Sequence, residues 1–261
     1  MKNLTPRSLV ITVVSVILLL QNGPTPVSAQ EANQKKWHFL AQPYLMFPYM
    51  DGETGIGENL ILPVDATAGD IFSNLQMGAM IYLEAQTEKW TITSDIVYMK
   101  LNQDVTPGII VSQGNVTVKQ FIWEATGLYR LTPWLELGVG GRLNYLQTSV
   151  DLLINLIPEG TEEATGRQHK TWYDPILVTR FKTDINNKWL FQARGDLGGF
   201  GVGSKFTWQA QGYVGYRFNK LFQLTGGYRI ISIDYSSGEP PKDFVFNMKE
   251  FGPVIQFGFN F

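Results

Sequence analysis

The chain has 261 residues, with 21 Lys and Arg against 23 Asp and Glu, 26 Gly and no Cys. A formal net charge of −2 gives no reason to expect a nucleic-acid partner, and the lack of cysteine excludes disulfides and a lipid-modified cysteine. A mean hydropathy of −0.06 with 44% hydrophobic residues excludes a helical membrane protein.

The amino terminus predicts export. An apolar run at residues 9–20 follows Lys2 and Arg7, and helix-breaking and small residues come after it. This run is too short to span a bilayer and has the charge and flanks of a secretory signal. We therefore expect residues 1–29 to be a cleaved signal peptide and residues 30–261 to form one domain.

The remainder of the chain predicts long strands. Residues 205–218 alternate strictly, with Phe206, Trp208 and Val214 on one face and Gln209 and Arg217 on the other. Similar alternation defines further candidates in chain order at 37–47, 76–86, 90–101, 115–131, 134–147, 171–185, 188–197 and 221–234 and in the strand that ends the chain. Between the first two lies an irregular stretch in which 65–75 has helical spacing at Ile71, Phe72 and Leu75, so this part is either a short helix or a plain surface loop.

The length and faces of these strands predict a membrane barrel. Strands of soluble sandwiches have about five or six residues, whereas a bilayer-spanning strand needs roughly 9–11 residues that are apolar outward and polar inward. Short connections at 87–89, 132–133, 186–187 and 219–220 alternate with longer ones at 48–75, 102–114, 148–170, 198–204 and 235–243. The expected fold is a transmembrane antiparallel up-and-down β-barrel of ten strands; eight or twelve remain open.

The chain resembles the small bacterial outer-membrane β-barrel proteins, the group of OmpA-like, OmpW-like and opacity-type barrels. The resemblance rests on the terminal Phe257-Gly258-Phe259-Asn260-Phe261, and on Trp172-Tyr173-Asp174-Pro175, Gly195-Asp196-Leu197-Gly198-Gly199 and Gly226-Gly227-Tyr228-Arg229. It implies an outer-membrane location in a Gram-negative-type cell, contact with outer-membrane lipid, and recognition of the last strand by the barrel-assembly machinery. It implies no particular substrate.

Two sets of residues follow from the alternation. The outward face should carry an aromatic girdle at the bilayer interfaces, made of Trp90, Trp123, Tyr129, Trp134, Trp189, Trp208, Tyr216, Phe218, Phe257, Phe259 and Phe261. The inward face should carry a lumen network of ion pairs, because a buried charge needs a partner or water. Its expected members are Glu84, Asp95, Glu124, Arg130, Glu136, Arg142, Asp174, Arg180, Arg194, Asp196, Arg217, Arg229 and Glu250.

The charge balance of the lumen favours a structural or narrow-pore barrel that passes at most a small solute, since a selective pore more often shows an excess of one sign. Two alternatives stay open: a surface binding protein or adhesin acting through 48–75 and 148–170, and a soluble periplasmic barrel with its apolar face inward. Enzymatic activity is not expected, because His38 and His169 lie apart from any nucleophile motif. No cofactor or metal motif occurs.

Overall fold

A computed structural model describes residues 37–56, 61–105, 111–155, 160–238 and 244–261. The expected signal peptide lies outside the described residues. Nearly all described residues belong to strands, and one short helix interrupts them. No helix in these ranges is long and apolar enough to cross a membrane.

The elements occur in the chain order β1 (His38–Met46), β2 (Tyr49–Ile56), β3 (Ile61–Ala66), α1 (Ala68–Ser73), β4 (Leu75–Gln86), β5 (Trp90–Asp104), β6 (Val111–Arg130), β7 (Leu135–Asn155), β8 (Thr161–Ile185), β9 (Trp189–Gly198), β10 (Phe206–Arg217), β11 (Phe222–Ser237) and β12 (Phe244–Asn260). The bounds of the first strand and of the helix agree with the sequence expectation to within a few residues. The helix predicted inside 65–75 is thereby confirmed.

The sheet closes on itself. The strands β4 to β12 follow one another as antiparallel neighbours, and β1 pairs with both β4 and β12. The closed ring therefore has ten strands, as predicted, and from β4 onward each next strand in the ring is reached by a simple up-and-down connection. One end, here the turn end, has the short connections 87–89, 131–134, 186–188 and 218–221. The opposite end is the loop end.

The segment 48–75 is not a plain loop, and the prediction for it was wrong in part. Strand β2 continues the line of β1 along β12, with Met46 opposite Val254 and Tyr49 opposite Phe251, and β3 pairs with β2 outside the ring. The glycines and acidic residues of 48–75 suggested irregular structure. The half of β12 nearer the loop end is not paired with β1, so the backbone of β2 can pair with it. This tertiary contact overrides local propensity.

The predictions of long loops at 102–114 and 148–170 were also wrong in extent. Strands β6, β7 and β8 have 20, 21 and 25 residues, so their ladders continue into these stretches at the loop end. Pairs such as Asp151 with Thr165 and Gln147 with His169 are polar. The apolar alternation ends where the strands project past the apolar wall, although the backbone hydrogen bonding does not.

Candidate functional site: the lumen

The inward-facing charges lie where the alternation puts them. Eleven of the thirteen expected lumen residues are buried, namely Glu84, Asp95, Glu124, Glu136, Arg142, Asp174, Arg180, Arg194, Asp196, Arg229 and Glu250. The other two, Arg130 and Arg217, are partly exposed near the turn end. Arg217 pairs there with Asp184 at 3.3 Å.

Arg180 joins opposite walls near the turn end. Its Nη1 donates to Glu84 Oε2 at 2.6 Å, and its Nε donates to Glu136 Oε2 at 2.6 Å. Glu84 belongs to β4 and Arg180 to β8, so the ion pair spans the lumen past β5, β6 and β7. The Tyr82 hydroxyl also donates to Glu84 at 2.8 Å, and Lys182 approaches its other oxygen at 3.2 Å.

Arg142 centres a second cluster and is fully buried. Its Nη2 lies 2.7 Å from Glu124 Oε2 and 2.7 Å from Asp196 Oδ1. Arg194 contacts the second oxygen of Glu124, so two guanidiniums share two carboxylates. The cluster ties β6, β7 and β9 together, and Arg142 Nη1 extends it to Thr207 of β10 at 3.1 Å.

Arg229 of β11 makes a third link across the lumen. Its Nη1 donates to Asp95 Oδ2 of β5 at 2.9 Å and to the Tyr44 hydroxyl at 2.9 Å, while Tyr44 donates to Asp95 Oδ1 at 2.8 Å. Gln209 accepts from Arg229 Nε at 2.9 Å and donates to Asp196 Oδ2 at 2.9 Å. The second and third clusters are therefore one hydrogen-bonded network.

Two of the expected ion-pair members have no cationic partner among the described residues, and the expectation was wrong for them. Asp174 instead accepts hydrogen bonds from the Ser204 N–H at 2.6 Å, the Ser204 hydroxyl at 2.9 Å, the Trp172 indole at 3.1 Å and the Asn144 amide at 2.9 Å. Glu250 accepts one hydrogen bond, from the Gln120 amide at 2.5 Å. Four neutral donors replace a base at Asp174, whereas Glu250 is the least satisfied acid of the lumen.

Asp174 fixes the glycine-rich reversal at 199–205 to the barrel wall. Gly199 and Gly201 have φ of 82° and 76°, a conformation that favours glycine. A Cβ at Gly203 would lie 2.3 Å from the Tyr173 carbonyl oxygen, so only glycine allows this close approach. The reversal thus turns inward, and Ser204 becomes fully buried against Asp174.

An apolar plug fills the lumen toward the loop end, and sequence reasoning missed it. It consists of Trp172, Ile231, Ile233, Tyr235, Phe244, Phe246 and Met248, all buried. Trp172 stacks on Tyr235 with ring centroids 4.1 Å apart. The available signal was that residues 230–235 and 244–248 are apolar on the inward parity as well as partly on the outward one, which marks a strand buried on both sides.

Little space remains inside. A cavity of about 30 Å³ lies toward the turn end beside Gln42, Lys182 and Gln223, and one of about 20 Å³ lies beside Glu250. The smaller has room for about one water molecule and the larger for about two, since a water needs roughly 10–15 Å³. Apart from these and an apolar cavity of about 160 Å³ beside Met46 and Met80, the described lumen is packed with side chains from the turn end to the plug.

The expected girdle residues point outward, and none of them is buried. Near the turn end several of these rings contact one another, with ring centroids 5.0 Å apart for Trp90 and Tyr129 and 5.1 Å apart for Trp189 and Tyr216. Three exposed aromatic residues nearer the loop end were missed in the sequence, namely Tyr49, Tyr173 and Tyr228, whereas Phe206, which the alternation assigned to the apolar face, is also exposed there. Each lies at an outward-facing position of its strand, so extending the apolar alternation further along each strand would have identified them.

The two histidines lie in different parts of the barrel. His38 is exposed at the start of β1, and His169 lies in the projecting part of β8, where its ring is 6.2 Å from that of Tyr145. Among the residues that the structure describes, no group of three or more His, Asp or Glu side chains could hold a metal ion.

No family model and no curated protein matches the chain. Among solved structures, it is similar to the outer-membrane protease OmpT from Escherichia coli, with a TM-score of 0.47 and 5% identity over 87% of this chain and 97% of that chain. Ail, the attachment invasion locus protein of Yersinia pestis, has a TM-score of 0.36 and 6% identity over 87% and 100%. The P. putida toluene transporter TodX has 0.35 and 11% over 88% and 91%. At these values the likenesses carry no argument about activity, and the resemblance to the OmpA-like, OmpW-like and opacity-type group stays a prediction.

Proposed function

We propose that this protein is an integral outer-membrane β-barrel with a closed lumen, a structural element of the envelope and not a pore for diffusion. The observation that carries the proposal is the set of four arginines, Arg142, Arg180, Arg194 and Arg229, each at most 5% exposed and paired with acids of other strands. Two of these pairs cross the lumen, and a solute would have to break them to pass.

The membrane location is supported by the outer surface. Large apolar side chains on every ring strand are exposed, for example Val139 at 61%, Leu177 at 56% and Ile92 at 55%. In water such a continuous apolar belt would favour aggregation, whereas in a bilayer it is the expected lipid contact. The inward charges also disfavour the soluble periplasmic barrel, which needs the opposite arrangement.

The C-terminal strand supports the expected partner. Phe257 and Phe259 point outward while Gln256 and Gly258 point inward, and β12 closes the ring by pairing with β1. We propose that the barrel-assembly machinery recognises this strand before β1 pairs with it. No enzymatic role and no cofactor belong to the proposal.

Single-channel recording in a planar bilayer tests the closed lumen. We expect the inserted wild-type protein to be electrically silent, with insertion verified independently by protection of the barrel from protease. The double variant Glu84→Ala with Arg180→Ala removes both partners of one cross-lumen pair and should show unitary steps. Stable unitary steps from the wild type would overturn the closed-lumen proposal.

A second candidate function is surface binding by the sheet that β6, β7 and β8 extend past the barrel. A groove of about 750 Å³ lies on this extension and carries three acids, Asp104, Asp151 and Glu163. Shortening the β7–β8 hairpin symmetrically from 150 to 166 keeps the ladder register. If binding of the protein to host or partner surfaces is lost while folding is kept, the extension is the binding surface; if binding survives, this candidate fails.

A further inference from the structure

The barrel wall has a seam between β1 and β4. Their ladder begins with His38 opposite Gln86 and ends with Pro43 opposite Ile81. Toward the loop end, residues 44–46 stay paired with β12 and residues 75–80 stay paired with β5, yet the described strands form no ladder between these two stretches. The wall is therefore open in its hydrogen bonding over this height.

The exposure pattern of β4 shows the same seam. Residues 76–79 are all exposed, although successive residues of a closed barrel wall should alternate between lumen and exterior. A register shift between Leu75 and Met77 bends the strand here. Both faces of this part of β4 are thus accessible.

Helix α1 lies over the outer side of the seam. Ile71 is 3% exposed, and the Phe72 ring lies 5.4 Å from that of Phe47. A capping box fixes the start of the helix, because the Thr67 hydroxyl accepts from the Asp70 N–H and the Asp70 carboxylate accepts from the Thr67 N–H. The Thr67 hydroxyl and the Thr67 N–H both donate to the Asp70 carboxylate, and these hydrogen bonds lower the pKa of Asp70.

An apolar cavity of about 160 Å³ lies at the seam. Its lining includes the outward-facing Leu45 and Ala79 and the inward-facing Met46, Met80 and Met99. These residues come from the stretches of β1 and β4 that form no ladder with each other, together with Met99 of β5. The volume of the cavity is similar to the roughly 150 Å³ at which a buried apolar cavity stays dry and binds a molecule of benzene size, and methionine side chains adapt to varied apolar shapes.

The inner end of the seam is polar. The cavity of about 20 Å³ near Glu250 shares Met46, Met80 and Met99 with the apolar cavity and reaches Arg229. Arg229 donates through Nε and Nη1, and its Nη2 donates to none of the described residues. A donor and an under-used carboxylate thus meet at a space for one small polar group.

We propose that the seam binds a linear alkyl chain that carries a hydroxyl group. The chain lies among the methionines, and the hydroxyl accepts from Arg229 and donates to Glu250. A carboxylate head would be repelled by Glu250, and an ammonium head by Arg229, so a neutral group that both donates and accepts fits best. The inference rests on the proposed membrane location, because Leu45 and Phe72, which line the cavity, are also exposed on the apolar exterior, where longer chains would continue into lipid.

Photo-crosslinking in lipid nanodiscs tests the site. The probe is a medium-chain primary alcohol with a diazirine on its alkyl chain, and labelled residues are mapped by mass spectrometry. We expect labelling to concentrate on Met46, Met80 and Met99 and to be displaced by excess 1-octanol. Labelling spread evenly over the lipid-facing strands would overturn the proposal. Failure of the protein to enter nanodiscs would instead count against the membrane location.

Two matched glycine variants separate the site from general contact with lipid. A Cβ at Gly78 makes only ordinary contacts with Leu75, so Gly78→Leu should fold and fill the cavity; a Cβ at Gly127 meets nothing, so Gly127→Leu adds the same side chain on the exterior. Labelling of the three methionines should be lost in the first and kept in the second. Equal labelling in both variants would contradict the proposal.

Competition by head group tests the inner end. 1-Octanol should displace the probe about tenfold better than octanoate or octylammonium, which corresponds to the loss of one hydrogen bond to a charged group. In Glu250→Leu this preference should disappear while labelling of the methionines persists. Competition by all three octyl compounds in proportion to their apolar partitioning alone would show that no hydroxyl site exists.

Discussion

The wall from β6 to β10 and the seam between β1 and β4 are held together by different interactions. In the β6–β10 wall each strand pairs with the next, and Arg142 of β7 and Arg194 of β9 both bind Glu124 of β6, so backbone and side chains both hold the wall together. At the seam the ladder stops at Pro43, a helix covers the outside and methionines fill the inside. A barrel can tolerate an unpaired stretch when apolar contacts replace the missing hydrogen bonds, and that stretch is then the natural place for a ligand.

The largest expected effect concerns the β6–β10 wall. Arg142→Ala leaves Glu124 and Asp196 buried without their shared guanidinium, which should cost about 3–5 kcal/mol of the free energy of unfolding. The control Arg217→Ala breaks the partly exposed pair with Asp184 and should cost about 0–1 kcal/mol. Urea unfolding in lipid vesicles measures both. Equal losses would mean that the buried network does not hold the wall.

The next prediction compares two acids. Glu124→Gln removes a carboxylate that contacts both Arg142 and Arg194, and we expect a loss of about 3 kcal/mol. Glu250→Gln removes an acid that has no ion pair in the described structure and keeps an oxygen for Gln120, so the loss should stay within about 1 kcal/mol. The same unfolding assay decides, and a larger loss at Glu250 would reverse our ranking of the two regions.

Hydrogen exchange tests the seam within one strand. The amide of Met80 lies beyond the end of the ladder with β1, whereas Tyr82 lies opposite Gln42 inside it. We expect the Met80 amide to exchange about tenfold faster, a difference of about 1.4 kcal/mol in opening free energy. Equal protection of the two amides would mean that the seam is closed in solution.

The smallest effect concerns the cover of the seam. Thr67→Ala removes the hydroxyl of the capping box and should lower the local stability of α1 by about 1 kcal/mol, visible as faster exchange of the Asp70 and Ile71 amides. Thr67→Ser keeps the cap and should exchange like the wild type. Hydrogen bonding from Thr67 lowers the pKa of Asp70. The stabilisation of α1 by the ionised Asp70 carboxylate is therefore fully present above the ordinary aspartate pKa of about 3.9, and it is lost as the pH falls through the lower folded-state pKa. An unchanged exchange rate in Thr67→Ala would show that packing of Ile71 alone holds the helix.

Much of this fold was readable from residue order. Period-two alternation identified the ten ring strands and which side of each faces the lumen, because successive side chains of a strand point to opposite faces. The alternation alone therefore placed Arg142, Arg180 and Glu124 in the lumen and Trp90 and Trp189 on the exterior. The helical spacing at Ile71, Phe72 and Leu75 likewise identified α1.

The tertiary structure alone decided which inward residues meet. Arg180 finds Glu84 and Arg229 finds Asp95 because closure brings strands from opposite sides of the ring together, a distance that no sequence spacing encodes. For the same reason Asp174 receives four neutral donors and Glu250 only one. The tertiary structure also decided the β2–β3 hairpin and the seam beside Pro43. Whether a backbone group is paired depends on the neighbouring strand that the closed barrel supplies.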